Sequence, residues 1–192
     1  MKKEIFTFST KDICEISVLC ALAIVLDRFI KIPIGITGGS INISMVPLFI
    51  IALRHGPFKS FIAGGIVYGF ITCLLDGYGL VCYPLEYFVA FGAVGIMGIF
   101  AKKINILMKS KNTYNFIISV ILMFLITAII ATIRVAGATI DSMILWDYTF
   151  GPALIYNATY IYPSALGSLI ILIVILPTIS ILNIAMPSTH LK

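Results

Sequence analysis

One charge stands near the start of the apolar run "YPLEYFVAFGAVGIMGIF", residues 83–100, and it is Glu86. A carboxylate among aromatic rings suits a cation, through charge pairing and cation–π contact. Two further polar groups sit in apolar surroundings: Arg134 in "ATIRVAGA" and Asn157 in "YNATYIYPS". Asn157 offers both a donor and an acceptor, which suits the edge of a heterocycle. Tyr87, Trp146, Tyr156 and Tyr160 supply rings. Polar residues within apolar runs are costly and are read first as site candidates.

Each residue also has a plain role. Pro84 is a good first-turn residue, so Glu86 falls in the first turn of a helix and complements its dipole. Arg134 can snorkel or pair with Glu86. Trp146 and the tyrosines fit an interfacial aromatic belt. Pro163 removes a helical hydrogen bond and predicts a kink. The case for a site rests on convergence, not on any one residue.

Convergence depends on the elements that carry these residues. The chain has 192 residues, 60% hydrophobic and 11% charged, with mean hydropathy +1.11. A soluble domain carries about 25% charged residues. The sequence therefore reads as an all-α integral membrane protein, with residues 1–192 forming one membrane domain. Spans need about 20 mostly apolar residues. Six runs qualify, at about 12–30, 42–54, 59–75, 84–101, 115–138 and 152–184. The second is short, carries Pro47 and crosses in part or with an irregular start.

Ten of the 13 basic residues fall before the first run, between the second and third, between the fourth and fifth, or at the end. The positive-inside rule makes that side cytoplasmic, with both termini on it. The opposite loops carry Asp76, Asp141 and Asp147, with Lys31. Glu86, Arg134, Tyr156, Asn157 and Tyr160 then lie at the outer ends of their helices. The segment "DSMILWDYTFG" adds Trp146, Tyr148 and Phe150, and the glycine-rich "KIPIGITGGSIN" can act as a lid. An outward-facing pocket for a small cationic ring is the expectation.

Small residues recur at helix-packing spacing, as Ser17 with Ala21 and Gly65 with Gly69. They read as packing within the bundle or as a docking face. Cys14, Cys20, Cys73 and Cys82 have no metal spacing; Cys14 and Cys20, in or beside the first apolar run, read as packing residues. His55 and His190 lie at the cytoplasmic side, and no His–Glu or Ser–His–Asp constellation is evident, which disfavours an enzyme. No metal or resident cofactor is expected. A Walker A pattern is absent, so the chain cannot supply ATP-derived energy itself. The inner halves of the last three runs show no polar path, which disfavours an independent carrier or channel.

Four stretches carry a resemblance: "EISVLCALAIVLD" (15–27), "GGSINISMVPLFIIALRHG" (38–56), "PLEYFVAFGAVGIMGIFAKK" (84–103) and "YNATYIYPS" (156–164). Together they resemble the substrate-binding (S) subunits of energy-coupling factor vitamin transporters, closest to the thiamine-specific ones. The resemblance implies six transmembrane helices binding one vitamin on the outer face of a bacterial plasma membrane. It implies partners: a membrane coupling subunit and two cytoplasmic ATPases that use the ATP. By resemblance, Ser17 and Ala21 contact the coupling subunit, Glu86 and Tyr87 form the acidic–Tyr pair facing thiamine, Asn157 reads the pyrimidine, and Trp146 stacks on the ligand. Two positions depart. Ile133 and Arg134 precede Gly137 where the family carries a histidine, and Pro152 replaces a tyrosine. They leave room for a precursor such as hydroxymethylpyrimidine, or for another vitamin.

Overall fold

The computed structural model describes residues 7–34, 39–109 and 112–185. Residues 35–38 of the expected lid, and Lys2, Lys3, Lys111, His190 and Lys192, lie outside the described residues. The element order is α1 (Thr10–Phe29), β1 (Lys31–Pro33), β2 (Ser40–Asn42), α2 (Met45–Asp76), α3 (Leu80–Ile99), α4 (Ala101–Lys109), α5 (Thr113–Leu145) and α6 (Phe150–Ala185). Among the described residues, α2, α3, α5 and α6 are long and apolar enough to cross a bilayer. Helix α1 spans 20 residues but carries Asp12, Glu15, Asp27 and Arg28. The protein is a helical integral membrane protein.

Local chemistry sets the helix ends. Ser9 opens α1 with a capping box: its hydroxyl accepts the Asp12 N–H, and Asp12 accepts the Ser9 N–H, both at 3.2 Å. The Asn112 side chain caps α5 by accepting the Tyr114 N–H at 3.0 Å. Helix α2 is two arms. Gly56 sits at φ 82°, ψ −175°, followed by Pro57, so the ladder breaks there. The second and third apolar runs of the sequence are these arms. Pro47 stands in the first turn of the first arm, where its missing N–H costs nothing.

The first arm is the centre of the bundle. Met45, Leu48, Phe49, Ile51, Ala52 and Leu53 are all buried, as expected of a helix apolar on every side. By contrast α5 and α6 expose Ile117, Ile121, Phe124, Leu125, Ile129, Ile170 and Val174. Such a continuous apolar exterior is suited to lipid.

Glycines set the closest approaches. A Cβ on Gly98 would lie 2.5 Å from the Gly56 carbonyl carbon and the Pro57 nitrogen, and one on Gly95 3.0 Å from the Pro57 oxygen. The kink of α2 is seated on this glycine face of α3. A Cβ on Gly65 would meet the Phe88 oxygen at 2.8 Å, and one on Gly69 the Tyr87 oxygen at 3.1 Å. That small-residue pair packs inside the bundle.

At the end of the bundle away from the hairpin, polar groups close on one another. Lys59 Nζ donates to Asp12 at 2.9 Å and Arg54 pairs with Glu15. Arg54 also donates to Asn183 at 2.7 Å, and Asn183 donates to Asn105 at 2.7 Å. His55 lies 3.3 Å from both Asp12 and Glu15. The sequence showed no such His–carboxylate grouping, because its members are about forty residues apart. The cluster is engaged in ion pairs and lies outside the cavity at the hairpin end.

Other expectations need correction. Helix α5 runs to Leu145, not 138, so Asp141 and Ser142 are helical rather than in a loop. Asp76 closes α2. The basic segment after α3 folds as α4. The lid segment contains an antiparallel pairing of β1 with β2, Ile32 opposite Ile41. Pro163 and Pro177 both lie inside α6, which is one helix from Phe150 to Ala185. Cys20, Cys73 and Cys82 are buried, but Cys14 is exposed.

Substituting Gly98→Ala is expected to lower unfolding free energy by about 1–3 kcal/mol, because backbone and not a flexible side chain blocks the methyl group. A thermal melt of the detergent-solubilised protein reads this, and an unchanged midpoint would show that the α2–α3 contact can open at no cost.

Candidate functional site

A cavity of about 300 Å³ opens at the hairpin end of the bundle. The end of α1, the hairpin, the end of α2, the start of α3, the second half of α5 and the start of α6 all line it. Glu86, Tyr87, Arg134, Trp146, Tyr156, Asn157 and Tyr160 all face it. Tyr148 lines it too, whereas Phe150 stands exposed at the start of α6 and does not.

Glu86 sits in the first turns of α3, which are wound wide from Tyr83 to Val89. The Asp141 carboxylate of α5 accepts its backbone N–H at 3.1 Å. That bond fixes the Glu86 backbone against α5. Among the described residues the Glu86 side chain has no basic partner within 4.0 Å. Pairing with Arg134 is therefore not its role here.

Arg134 lines the cavity too, with its guanidinium carbon 4.4 Å from the centre of the Phe91 ring. Its Nη1 contacts the Met45 sulfur at 2.8 Å. It turns inward onto that ring and does not snorkel.

Asn157 is buried and largely engaged. Its amide donates to Ser142 Oγ and to the Ala153 carbonyl, each at 2.9 Å. Its oxygen accepts the Tyr160 hydroxyl at 2.7 Å, leaving one acceptor lone pair. Ser142 in turn donates back to Ala138, so Asn157 joins α6 to α5.

The sequence reading missed the network that seats the hairpin. Arg28 Nη2 pairs with Asp76 at 2.8 Å and with Asp27 at 3.1 Å. Tyr87 donates to the other Asp76 oxygen at 2.7 Å. Asn42 donates to Asp27 at 2.8 Å, and its backbone N–H to Ser164 at 3.1 Å. Gly39 N–H donates to the Tyr156 hydroxyl at 2.8 Å, and a Cβ there would strike the Tyr160 ring at 2.7 Å. The one available signal was an acidic residue at the end of each of two apolar runs, Asp27 and Asp76.

Trp146 follows the last residue of α5, half-exposed, with Tyr78 edge-on at 5.7 Å between ring centres. Burial pushes the Tyr78 phenol up from its ordinary value, and Asp76 adds to that. Tyr156 and Tyr160 stack edge-on at 5.6 Å. The site thus combines rings, the Glu86 carboxylate and the Arg134 guanidinium, neither with an ion-pair partner among the described residues, and the exposed Lys31 of the hairpin.

Over residues 13–184 the chain matches a family described as thiamine transporter protein. The chain belongs to this family. It is 31% identical over 183 residues to the thiamine transporter ThiT of Bacillus subtilis (strain 168), across 85% of this chain and 89% of that protein. A solved structure of ThiT from Listeria monocytogenes superposes with a TM-score of 0.67 at 23% identity, covering 94% of this chain and 97% of that one. At that identity the likeness is one of fold. Membership of the thiamine transporter family makes the chain a membrane transport protein and not an enzyme.

Asp76→Asn is expected to cost about 1–3 kcal/mol of stability, because Arg28 and Tyr87 both lose a charged acceptor. Tyr87→Phe, which removes one bond of that network, costs less. Thermal melts of the two variants test this, and melts indistinguishable from wild type would remove the network as the hairpin's anchor.

Proposed function

We propose that this chain is the substrate-binding subunit of an energy-coupling factor importer and captures thiamine at the hairpin end. The observation that carries the reading is the cavity wall, where an ion-unpaired Glu86 stands among the rings of Tyr87, Tyr156 and Tyr160. Thiamine carries a fixed thiazolium charge, which a buried carboxylate and aromatic faces stabilise. The names of the family and of its Bacillus subtilis relative support the same ligand. Asn157 offers its remaining lone pair to the aminopyrimidine, and Trp146 covers the mouth.

The reading extends to topology and partners. Six transmembrane passes, counting α1 and the two arms of α2, place both termini in the cytoplasm of a bacterium and the cavity outside. The basic loops support that orientation. Ser17 and Ala21 lie exposed on α1 and form a small-residue face for a membrane coupling subunit. Two cytoplasmic ATPases supply the energy through that subunit, and this chain itself holds no cofactor. A second reading, a thiamine precursor such as hydroxymethylpyrimidine, is favoured by Arg134, because that pyrimidine is uncharged.

Thiamine should quench Trp146 fluorescence saturably in the purified chain. Glu86→Gln should weaken binding by about 1.5–3 kcal/mol through loss of the charge-assisted contact. Saturable binding of the neutral pyrimidine alone, unaffected by Glu86→Gln, would replace thiamine with the precursor. Copurification with a coupling subunit and two ATPases tests the partners, and Ser17→Leu with Ala21→Leu should abolish it.

A further inference from the structure

Two cations line the cavity, Lys31 and Arg134, and the thiamine reading gives neither any work. Lys31 is exposed on the hairpin, whereas Arg134 is turned inward against Phe91. A guanidinium is always ionised and presents five N–H donors in a fixed fork. Among the described residues, its one polar contact is from Nη1 to the Met45 sulfur, a weak acceptor. Nε is buried and has no hydrogen-bond partner. No carboxylate oxygen lies within 4.0 Å. The acids that act on it from further away are Asp27 and Glu86. Asp27 is already held by Arg28 and Asn42. The Tyr68 and Tyr160 hydroxyls donate to Ser44 and Asn157, and neither accepts a hydrogen bond from Arg134.

Withdrawing a charge from water without a partner is costly. The Phe91 face offsets only part of that cost. A folded protein that keeps such a group in a ligand cavity has left its partner to the ligand. The partner matching a guanidinium fork is an oxyanion, of which a phosphate oxygen pair is the closest geometric match.

We propose that Arg134 is an oxyanion-recognising specificity residue, and that the cavity prefers a phosphomonoester of thiamine to the free alcohol. The proposal rests on the thiamine reading above. The same thiazolium ring carries the fixed positive charge and the hydroxyethyl arm that is esterified in the monophosphate. One ligand therefore sets a cation against Glu86 and an oxyanion against Arg134. Free thiamine satisfies the first wall and leaves the second uncompensated.

Calorimetric titration of the purified full chain with thiamine and with thiamine monophosphate tests this, for wild type, Arg134→Met and Arg134→Lys. Wild type is expected to bind the monophosphate more tightly than thiamine. Arg134→Met should shift the ratio of the two dissociation constants against the ester by about tenfold or more, and Arg134→Lys, which keeps the charge without the fork, by less. Thiamine binding with the monophosphate rejected, or an unaltered ratio in both variants, would overturn this inference and leave the thiamine reading standing. Failure of wild type to bind either compound would overturn both. The Lys variant keeps the test open if the Met variant does not fold.

Discussion

Hydrocarbon offers no hydrogen-bond partner, so every polar group within a membrane bundle must be satisfied by the bundle itself. That constraint organises the whole chain. Most charged side chains gather at two ends of the bundle, and its centre is filled by the first arm of α2 with Met45, Leu48, Phe49 and Ile51. The end away from the hairpin closes on itself through Asp12, Glu15, Arg54, His55 and Lys59. The hairpin end does not. There Arg28 is shared by Asp27 and Asp76, and Tyr87 completes Asp76, while Glu86 and Arg134 keep apart. One end of the bundle is thus closed by ion pairs, and the other holds a cavity whose wall carries Glu86 and Arg134 without an ion pair between them.

The backbone makes this possible at a few points. The break at Gly56 and Pro57 turns α2 back without exposing a long loop, and Gly95 and Gly98 let α3 approach that turn. At the other end, the Asp141 carboxylate takes the Glu86 N–H, so the residue carrying the unpaired charge is held by its main chain. Its side chain lines the cavity. Asn157 shows the opposite economy: its amide is nearly consumed in joining α6 to α5, and only one lone pair faces outward.

Much of this was legible in the sequence. The apolar runs marked the four helices long and apolar enough to cross a bilayer, and the polar and aromatic residues within and beside the runs marked seven side chains that line one cavity. The end of α5 was not legible, because Asp141 and Ser142 look like loop residues until their partners on α3 and α6 are known. The hairpin escaped because its strands have three residues each and lie in a glycine-rich segment. The Arg28–Asp76 pair is 48 residues apart in sequence, and no local pattern encodes such a distance. The same holds for His55, which looked idle and proved to be bracketed by two carboxylates. Arg134 was visible as an anomaly, but only its surroundings show that Glu86 does not neutralise it.

The central claim is that Glu86 is held free of any protein cation so that it can face a charged vitamin. An experimental structure of the chain with thiamine bound tests it most directly. The account predicts the thiazolium ring in the hairpin-end cavity within contact distance of the Glu86 carboxylate, with the aromatic rings around it. Thiamine at another place on the bundle, or a Glu86–Arg134 ion pair beside the occupied cavity, would contradict it.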